Sequence, residues 1–345
     1  LLKARGPAFF AAAAVDLLRS RLGEGADAAG NFEGFALARY GRRIARPYLL
    51  DYSEKLWGVP PRKLLPEAAG NRLQGLKLSR MFAFLSPAAP GRSSHLEGSF
   101  FYPRGGIEAI PLALAESCGS GRVRCQCRVT RIFHDGRAVR EVEINGRQRL
   151  GVRAAVTTLP LTEFLSLLAP PPPEAVSRAA AALAFRSLVL TILLLDHPDV
   201  TRAATIYFPQ RKYPFTRVAE PKRRDPGMSP PGKTSLVAEF PCDPGDAVWI
   251  AEDASLVERA LDPLVALGWV RRERVLTAHV RRFRFAYPLL TVGVADSLAV
   301  VDEYVSSFRN LASAGRCARF RYSHIHDQID EGRKAVEALR TRGEI

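Results

Sequence analysis

The chain has 345 residues, 47% of them hydrophobic and 25% charged, with 50 Lys+Arg against 35 Asp+Glu and a formal net charge of +15. That length suits about two domains, and the composition excludes a disordered or collagen-like chain. The basic residues are mostly Arg and are dispersed, whereas a nucleic-acid surface concentrates them among aromatics on one face; the balance suits an anionic small molecule.

The first 85 residues read as helical, with loops set by Gly and Pro. Leu1–Arg21 is expected as a helix, with Phe9, Phe10, Val15, Leu17 and Leu18 supplying its apolar face and Ala11–Ala14 its propensity. Gly23–Gly34 reads as a loop and Phe35–Tyr40 as a second helix. Arg46–Gly58 is mixed apolar and charged, Pro60-Pro61 breaks the chain, and a third helix is expected from Pro66 to about Leu76. An aromatic run then ends at Pro103, followed by Gly105-Gly106 and an apolar-periodic segment of Ile107, Ile110, Leu112 and Leu114. The glycine pair permits a sharp turn or a close approach to a ligand. A helix after it would offer unpaired N–H groups and a positive dipole end.

The character changes after residue 121. Val123–Phe133 is β-rich, and Asp135-Gly136 signals a type I′ hairpin. Ala138–Ile144 is a second strand, Asn145-Gly146 a second hairpin signal and Gln148–Val152 a third strand. Arg153–Pro160 is a small apolar β run ended by proline, so 121–160 reads as a meander that returns to a buried strand. Pro170–Pro173 is a stiff break, and Glu174–Leu183 an Ala-rich helix. Ser187–Leu195, Thr205–Phe208, Thr234–Phe240 and Arg281–Tyr287 read as strands, with Lys222–Lys233 a Pro/Gly/charge loop. Ala254–Leu267 and Asp302–Leu311 are expected helices, and a closing helix runs from about Gln328 to Arg340. The longest apolar run, Leu188–Leu195, is too short for a bilayer, which needs ~20 residues.

The five Cys (118, 125, 127, 242 and 317) are an odd number in a chain without a secretory leader, which favours free thiols and a cytoplasmic location. Cys118, Cys125 and Cys127 have no second CxxC pair to complete a zinc site, so they read as buried structural thiols. His324 and His326 lack a third His or a carboxylate pair, which reads against metal and for positioning the last helix or contacting a ligand there. Asp327 stands at an N-cap position for that helix, with Asp330 and Glu331 adding acid to its first turn. The free N–H groups of this turn could meet a cofactor, and Gly315-Arg316 resembles a strand-to-turn that approaches an anion, Arg being the natural bidentate phosphate partner. Tyr48, Tyr52, Trp57, Phe82, Phe84 and Phe100–Tyr102 make the first hundred residues aromatic, as core or as pocket lining. No GxSxG, HExxH, P-loop or EF-hand pattern occurs, so nothing supports a nucleophilic hydrolase.

In order and spacing the chain resembles the FAD-dependent amine-oxidase and protoporphyrinogen-oxidase-like flavoproteins, a group related to UDP-galactopyranose mutase. Four stretches carry the resemblance: Tyr52–Pro61 with Arg72–Leu76; Phe101–Pro111 (FYPRGGIEAIP); Arg128–Ile132 with its hairpins and Ala155–Pro160; and Gly315–Leu339. The resemblance implies an α/β (mixed α+β) fold: a partial Rossmann-like FAD-binding domain over 101–160 and 295–345, and a substrate domain of mixed sheet and helices over 1–100 and 161–294. It implies an FAD-dependent oxidoreductase acting on a small-molecule substrate, or a flavin-dependent sugar-nucleotide mutase or a non-catalytic remnant as alternatives. It places Gly105 and Gly106 near the cofactor domain, Val129 at the adenine end, and Thr158 and Pro160 close to the cofactor. Gly315 and Arg316 come near the ribityl-pyrophosphate, and His326, Asp327, Gln328 and Ile329 face the flavin ring. The family also opens with a βαβ unit carrying GxGxxG, a pattern this sequence does not contain; by the resemblance, the chain begins about one such unit late. No metal is implied, and no residue stands out as a catalytic base.

Overall fold

A computed structural model describes residues 7–22, 30–68 and 101–345. By internal contacts the chain divides into two compact units, Leu1–Ser117 with Ser187–Arg284, and Cys118–Arg186 with Phe285–Ile345.

Helix α1 (Pro7–Leu22) buries Ala13 and Leu17, while Val15 and Leu18 are exposed. The inward stripe therefore keeps Leu17 of the expected face, joined by Ala13, while Val15 and Leu18 turn outward. The second helix starts three residues before Phe35: α2 spans Phe32–Tyr40, because the Asn31 side chain accepts the Gly34 N–H and caps it. After Gly41 the chain is helical again through α3 (Arg42–Ala45), a π-turn (Arg46–Leu50) and α4 (Asp51–Trp57). The π-turn sits at Pro47, whose missing N–H removes one bond of an α ladder. Residues 66–68 form only a 3-10 turn, and the rest of the expected third helix lies outside the described residues. Helix α5 (Ala109–Ser117) follows the Gly105-Gly106 turn as expected, but buries none of its residues.

The meander comes next: β1 (Val129–His134), β2 (Val139–Ile144) and β3 (Gln148–Gly151). Residues 123–128, expected as strand, are irregular. At the second hairpin Asn145 and Gly146 both have positive φ (54° and 67°), and Arg147 N–H donates to Ile144 O at 3.1 Å, as a type I′ turn requires. The first hairpin differs from expectation. His134 pairs with Val139, leaving four loop residues, and Asp135 Oδ1 accepts the N–H groups of Arg137 and Ala138. The Asp side chain builds the turn that two residues alone would otherwise make. Then follow β4 (Ala155–Thr157), α6 (Leu161–Ser166), β5 (Leu168–Ala169) and α7 (Glu174–Ala181). The meander sheet has the order β3-β2-β1-β5.

Strands β6 (Phe185–Leu195), β7 (Thr205–Tyr207), β8 (Arg217–Ala219) and β9 (Thr234–Cys242), with helix α8 (Asp253–Ala266) and β10 (Val275–Pro288), build the first unit's five-stranded sheet, ordered β10-β6-β9-β8-β7. Register sets its core. Val189 faces Phe240 and Leu193 faces Leu236 across β6 and β9, and all four are fully buried. Leu256, Ala260 and Leu264, one helical turn apart on α8, complete the same cluster. On the alternate parity, Tyr207, Arg217, Glu239 and Leu190 form a cross-strand row in which Arg217 Nε lies 2.5 Å from Glu239 Oε2. Helix α4 grips the loop between β7 and β8. Lys55 Nζ donates to the carbonyls of Phe208, Gln210 and Phe215 at 2.8, 3.1 and 2.6 Å, and Glu54 pairs with Arg211 at 2.8 Å.

The chain closes with α9 (Val294–Ser306), β11 (Leu311–Ser313) and α10 (Ile325–Thr341). The helix expected over Asp302–Leu311 is thus the end of α9, a bend and the start of β11; its buried residues Val294, Val301 and Val305 lie mostly ahead of the expected start. The three exposed cysteines are a further correction. Cys118, Cys125 and Cys127 lie in the irregular segment before β1 and face solvent, whereas Cys242 is buried. A β-rich composition without a pairing partner made no strand there, so no face was available to bury them.

Two outcomes follow. Replacing the fully buried Leu193 by Ala lowers stability by about 2–5 kcal/mol, measurable by denaturant unfolding. Burial lowers the Lys55 pKa from 10.5 to about 8. Between these values the folded chain has released a proton that the unfolded chain retains, so stability rises with pH from about 8 to 10.5 through this group. In Lys55→Met that rise is absent, a difference readable in unfolding midpoints across the window.

Candidate functional site

The second unit places two parallel strands side by side. β11 pairs with β4 through Leu311 with Ala155, Ala312 with Val156 and Ser313 with Thr157. Parallel strands end together, and in α/β sheets ligands bind beyond their carboxyl ends. Here that edge carries Thr158, Leu159 and Pro160 from one strand and Ala314, Gly315 and Arg316 from the other. The two segments are stitched: Ala314 N–H donates to Thr157 O at 3.0 Å, and Leu161 N–H to Cys317 O at 3.1 Å. Pro160 takes the N-cap position of α6 with φ −50°.

Gly315 turns the chain with φ +94°, a conformation that L side chains rarely adopt. Its N–H donates to Glu331 Oε2 at 2.8 Å, and its carbonyl accepts from Arg319 N–H at 2.9 Å. Glu331 is buried on α10, and its other oxygen accepts from Arg321 Nε and Nη2 at 2.9 and 2.5 Å. Arg316 next to the turn donates from Nε and Nη2 to Ser323 O at 3.3 and 2.7 Å. Its guanidinium lies 4.8 Å from the Tyr322 ring and 5.8 Å from the Tyr287 ring, and the two rings stack with 6.4 Å between centroids. Cation–π contact and two carbonyl bonds together fix this cation beside the glycine turn.

Helix α10 starts at Ile325, so His324, and not Asp327, is its N-cap. The His324 ring accepts from the Asp327 N–H, and Asp327 Oδ2 accepts the His324 N–H at 2.8 Å, which makes a reciprocal capping box. That backbone bond, joined by the two imidazoles and Arg321, holds the Asp327 carboxyl below the usual range. His324 and His326 stack at 5.8 Å, and Tyr322 meets His324 edge-on at 6.0 Å. Ile325 and Ile329 are 42% and 50% exposed on the same first turns. Gln328 reaches toward the turn: a Cβ on Gly315 would lie 4.0 Å from its Oε1.

Of the expected site residues, Thr158, Pro160, Gly315, Arg316 and the His326–Ile329 turn all belong to this unit, with Gln328 reaching the Gly315 turn. Val129 opens β1 opposite Ile144. Gly105 and Gly106 lie in the first unit and are held by the loop before β9. The Gly105 N–H donates to Asp225, and a Cβ on Gly106, at φ +116°, would stand 3.1 Å from Met228 Cε. Tyr102 Oη donates to Met228 Sδ at 3.7 Å. Sequence reasoning missed Tyr287 and Glu331 as parts of the site. The run Arg319-Phe320-Arg321-Tyr322 was its visible signal, since charged and aromatic residues alternate there just after a glycine turn.

A cavity of about 360 Å³ lies between α9, β11 and α10, with Asp302, Arg319, Arg321, Lys334 and Arg342 in its wall. Burial pushes the Asp302 carboxyl up, against the opposing effect of Arg319 and Arg321. Among the described residues no group of three His, Cys, Asp or Glu could hold a metal ion, and no helix is long and apolar enough to cross a membrane. The residues present fit a polar ring such as flavin. The buried hydroxyls of Ser313 and Ser323 have no hydrogen-bond partner among the described residues, and a helix N-terminus with exposed isoleucines meets a side-chain-free turn.

Comparison with known proteins agrees. A family model described as flavin containing amine oxidoreductase matches residues 30–340. Among solved structures, reduced UDP-galactopyranose mutase is similar with a TM-score of 0.83 at 19% identity, covering 98% of this chain and 72% of that one. A putative protoporphyrinogen oxidase from Exiguobacterium sp. 255-15 is similar at 0.71 and 16% identity, covering 98% and 73%. Cyclohexylamine oxidase from Brevibacterium oxydans IH-35A gives 0.59 and 15%, covering 99% and 76%. No protein of curated function matches the sequence. With nine-tenths of its length matched by one family model and its fold shared with these enzymes, the chain belongs to the flavin-containing amine oxidoreductase family.

Proposed function

We propose that the chain is an FAD-dependent oxidoreductase that acts on a small organic substrate. The observation that carries this reading is the Gly315–Arg316 turn, set beyond two parallel strands and beside the first turn of α10. FAD, when bound, supplies a two-electron acceptor for hydride from the substrate. The protein's part is placement and electrostatics. Arg316, braced by Tyr322 and Ser323, presents a fixed cation to the anionic linker of the cofactor. The positive end of α10 would favour negative charge on a flavin ring held beside it. Ile325 and Ile329 offer an apolar seat that excludes water from the ring. Gly105 and Gly106, on the Asp225–Met228 platform, and Val129 are further cofactor contacts in this proposal.

A second reading, a flavin-dependent sugar-nucleotide mutase, is favoured by one observation, the TM-score of 0.83 to UDP-galactopyranose mutase. Turnover separates the two. Consumption of oxygen on adding an amine supports the oxidoreductase, and conversion of UDP-galactopyranose without net oxidation supports the mutase.

The direct test is the visible absorbance of the purified chain after incubation with FAD and gel filtration. Retained, perturbed flavin bands are expected, and their absence at saturating FAD would sink both readings. In Arg316→Ala the FAD affinity falls about ten-fold or more, because a charged hydrogen-bond donor is lost. Glu331→Ala leaves the Gly315 N–H and Arg321 without their acceptor. Stability then drops by about 1–3 kcal/mol, and the Gly315 amide exchanges faster with solvent, which hydrogen-exchange mass spectrometry reads without any cofactor.

A further inference from the structure

Among the described residues, the segment between Ser117 and β1 exposes three thiols close together in sequence, outside the site above. Cys118, Cys125 and Cys127 are all free and solvent-facing within ten residues. Between the last two stands Gln126, with φ +57°. Side-chain-bearing residues at this φ lie mostly in the left-handed well, which is sparsely populated and is held only where the surroundings impose it. The surroundings are on hand. Asn145, in the β2–β3 turn, donates from Nδ2 to Gln126 O at 3.0 Å and accepts the Arg128 N–H on Oδ1 at 2.8 Å. Its own N–H donates to Arg128 O at 2.7 Å. One asparagine thus clamps the backbone on the C-terminal side of Cys125 and on both sides of Arg128.

The consequence is a distance. A residue with helical-type dihedrals, of either hand, brings its two neighbours' Cα atoms to about 5.4 Å, as the radius and rise of a helix require. An extended residue would separate them by about 6.6 Å. Disulfides prefer Cα separations of about 5.5–6 Å. With left-handed dihedrals, Gln126 would hold Cys125 and Cys127 at the Cα span that a disulfide uses.

We propose that Cys125 and Cys127 form a reversible redox pair, oxidised by hydrogen peroxide to an intrasegment disulfide. One thiolate attacks a peroxide oxygen, the O–O bond breaks, and a sulfenic acid forms while the departing hydroxide takes a proton to become water. The second thiolate then attacks the sulfenic sulfur, the S–S bond forms, and the hydroxide lost becomes a second water. Two sulfurs are each oxidised by one electron, the two peroxide oxygens are each reduced by one, and the sum is two thiols and peroxide to disulfide and two waters. An exposed disulfide across a single residue is of the labile kind that small thiols reduce again. The third thiol, Cys118, lies outside the clamped stretch and takes no part.

The sequence provides a clean assay. Arg124 and Arg128 bracket Cys125–Gln126–Cys127, whereas Cys118 lies in the peptide that ends at Arg122. The full folded chain is treated with hydrogen peroxide, alkylated with iodoacetamide and digested with trypsin. The expected product is the peptide of residues 125–128 lighter by two hydrogens and unalkylated, while the Cys118 peptide stays alkylated. Double alkylation of the 125–128 peptide after peroxide overturns the proposal. So does a cross-link to the Cys118 peptide, or sulfinic acid at either position. Gln126→Val disfavours the left-handed well and slows closure by about five-fold or more; an unchanged rate overturns the geometric basis. Circular dichroism of the variant confirms that the fold is intact.

Discussion

One buried carboxylate ties the candidate site together. Glu331 sits a turn and a half into the last helix and accepts both the Gly315 N–H and the Arg321 guanidinium. Those bonds join the end of β11, the basic aromatic run and α10 into one rigid corner. An acid so buried must keep its partners, since an unpaired charge in that position would cost several kcal/mol. The left-handed turn at Gly315 is the other half of this constraint. A side chain there would strain the backbone, and the turn itself is what aims Arg316 toward its ring partners. The corner is thus over-determined: a glycine for the turn, a carboxylate to hold its amide, and a stacked arginine on the outside.

The same economy governs α10. Its cap is built from His324 and Asp327 in place of the Ser/Thr–Glu pair that usually serves. An imidazole acts as acceptor here only while one ring nitrogen is unprotonated. The His324 ring is also bracketed by Tyr322 and His326, which holds it at the head of the helix. The turn that would meet an electron-rich ring is thus held by its own capping bonds and by the rings stacked beside it.

Much of this was legible before the structure. The period-two runs with Asn-Gly and Asp-Gly punctuation marked the meander, because turn chemistry is local and few residues tolerate positive φ. The buried strand Ser187–Leu195 announced itself by continuous hydrophobicity, and Gly315-Arg316 was picked out as a strand-to-turn, which the backbone makes at Gly315. What escaped was set by distant partners. β8 and β11 are three residues each, too short to show a period, and exist because neighbouring strands accept them. The cap of α10 lay three residues early, since His is a weak capping signal and Asp327 looked the better one. Glu331 read as a first-turn acid because a sequence shows charge but not depth. Cys125 and Cys127 fell in the β-rich run from Val123, whose first six residues form no strand for lack of a pairing edge.

The excess of arginine has a structural use in this fold. Arg342 reaches the carbonyls of Phe308, Arg309 and Leu311, which closes the C-terminal end of α10 onto the approach to β11. Arg282 binds the carbonyls of Trp249 and Ala251 together with Asp253, and so staples the loop before α8 to β10. Arg272 joins Glu258 and Asp262 along α8. A guanidinium offers five donors in a fixed plane, so one residue can satisfy several backbone oxygens that a loop leaves unpaired. A chain rich in glycine and proline loops has many such oxygens. Its basic composition is therefore, in large part, a way of holding irregular backbone in place, and Arg316 beside its glycine turn, bonded to the Ser323 carbonyl and packed on Tyr322, is one more case of it.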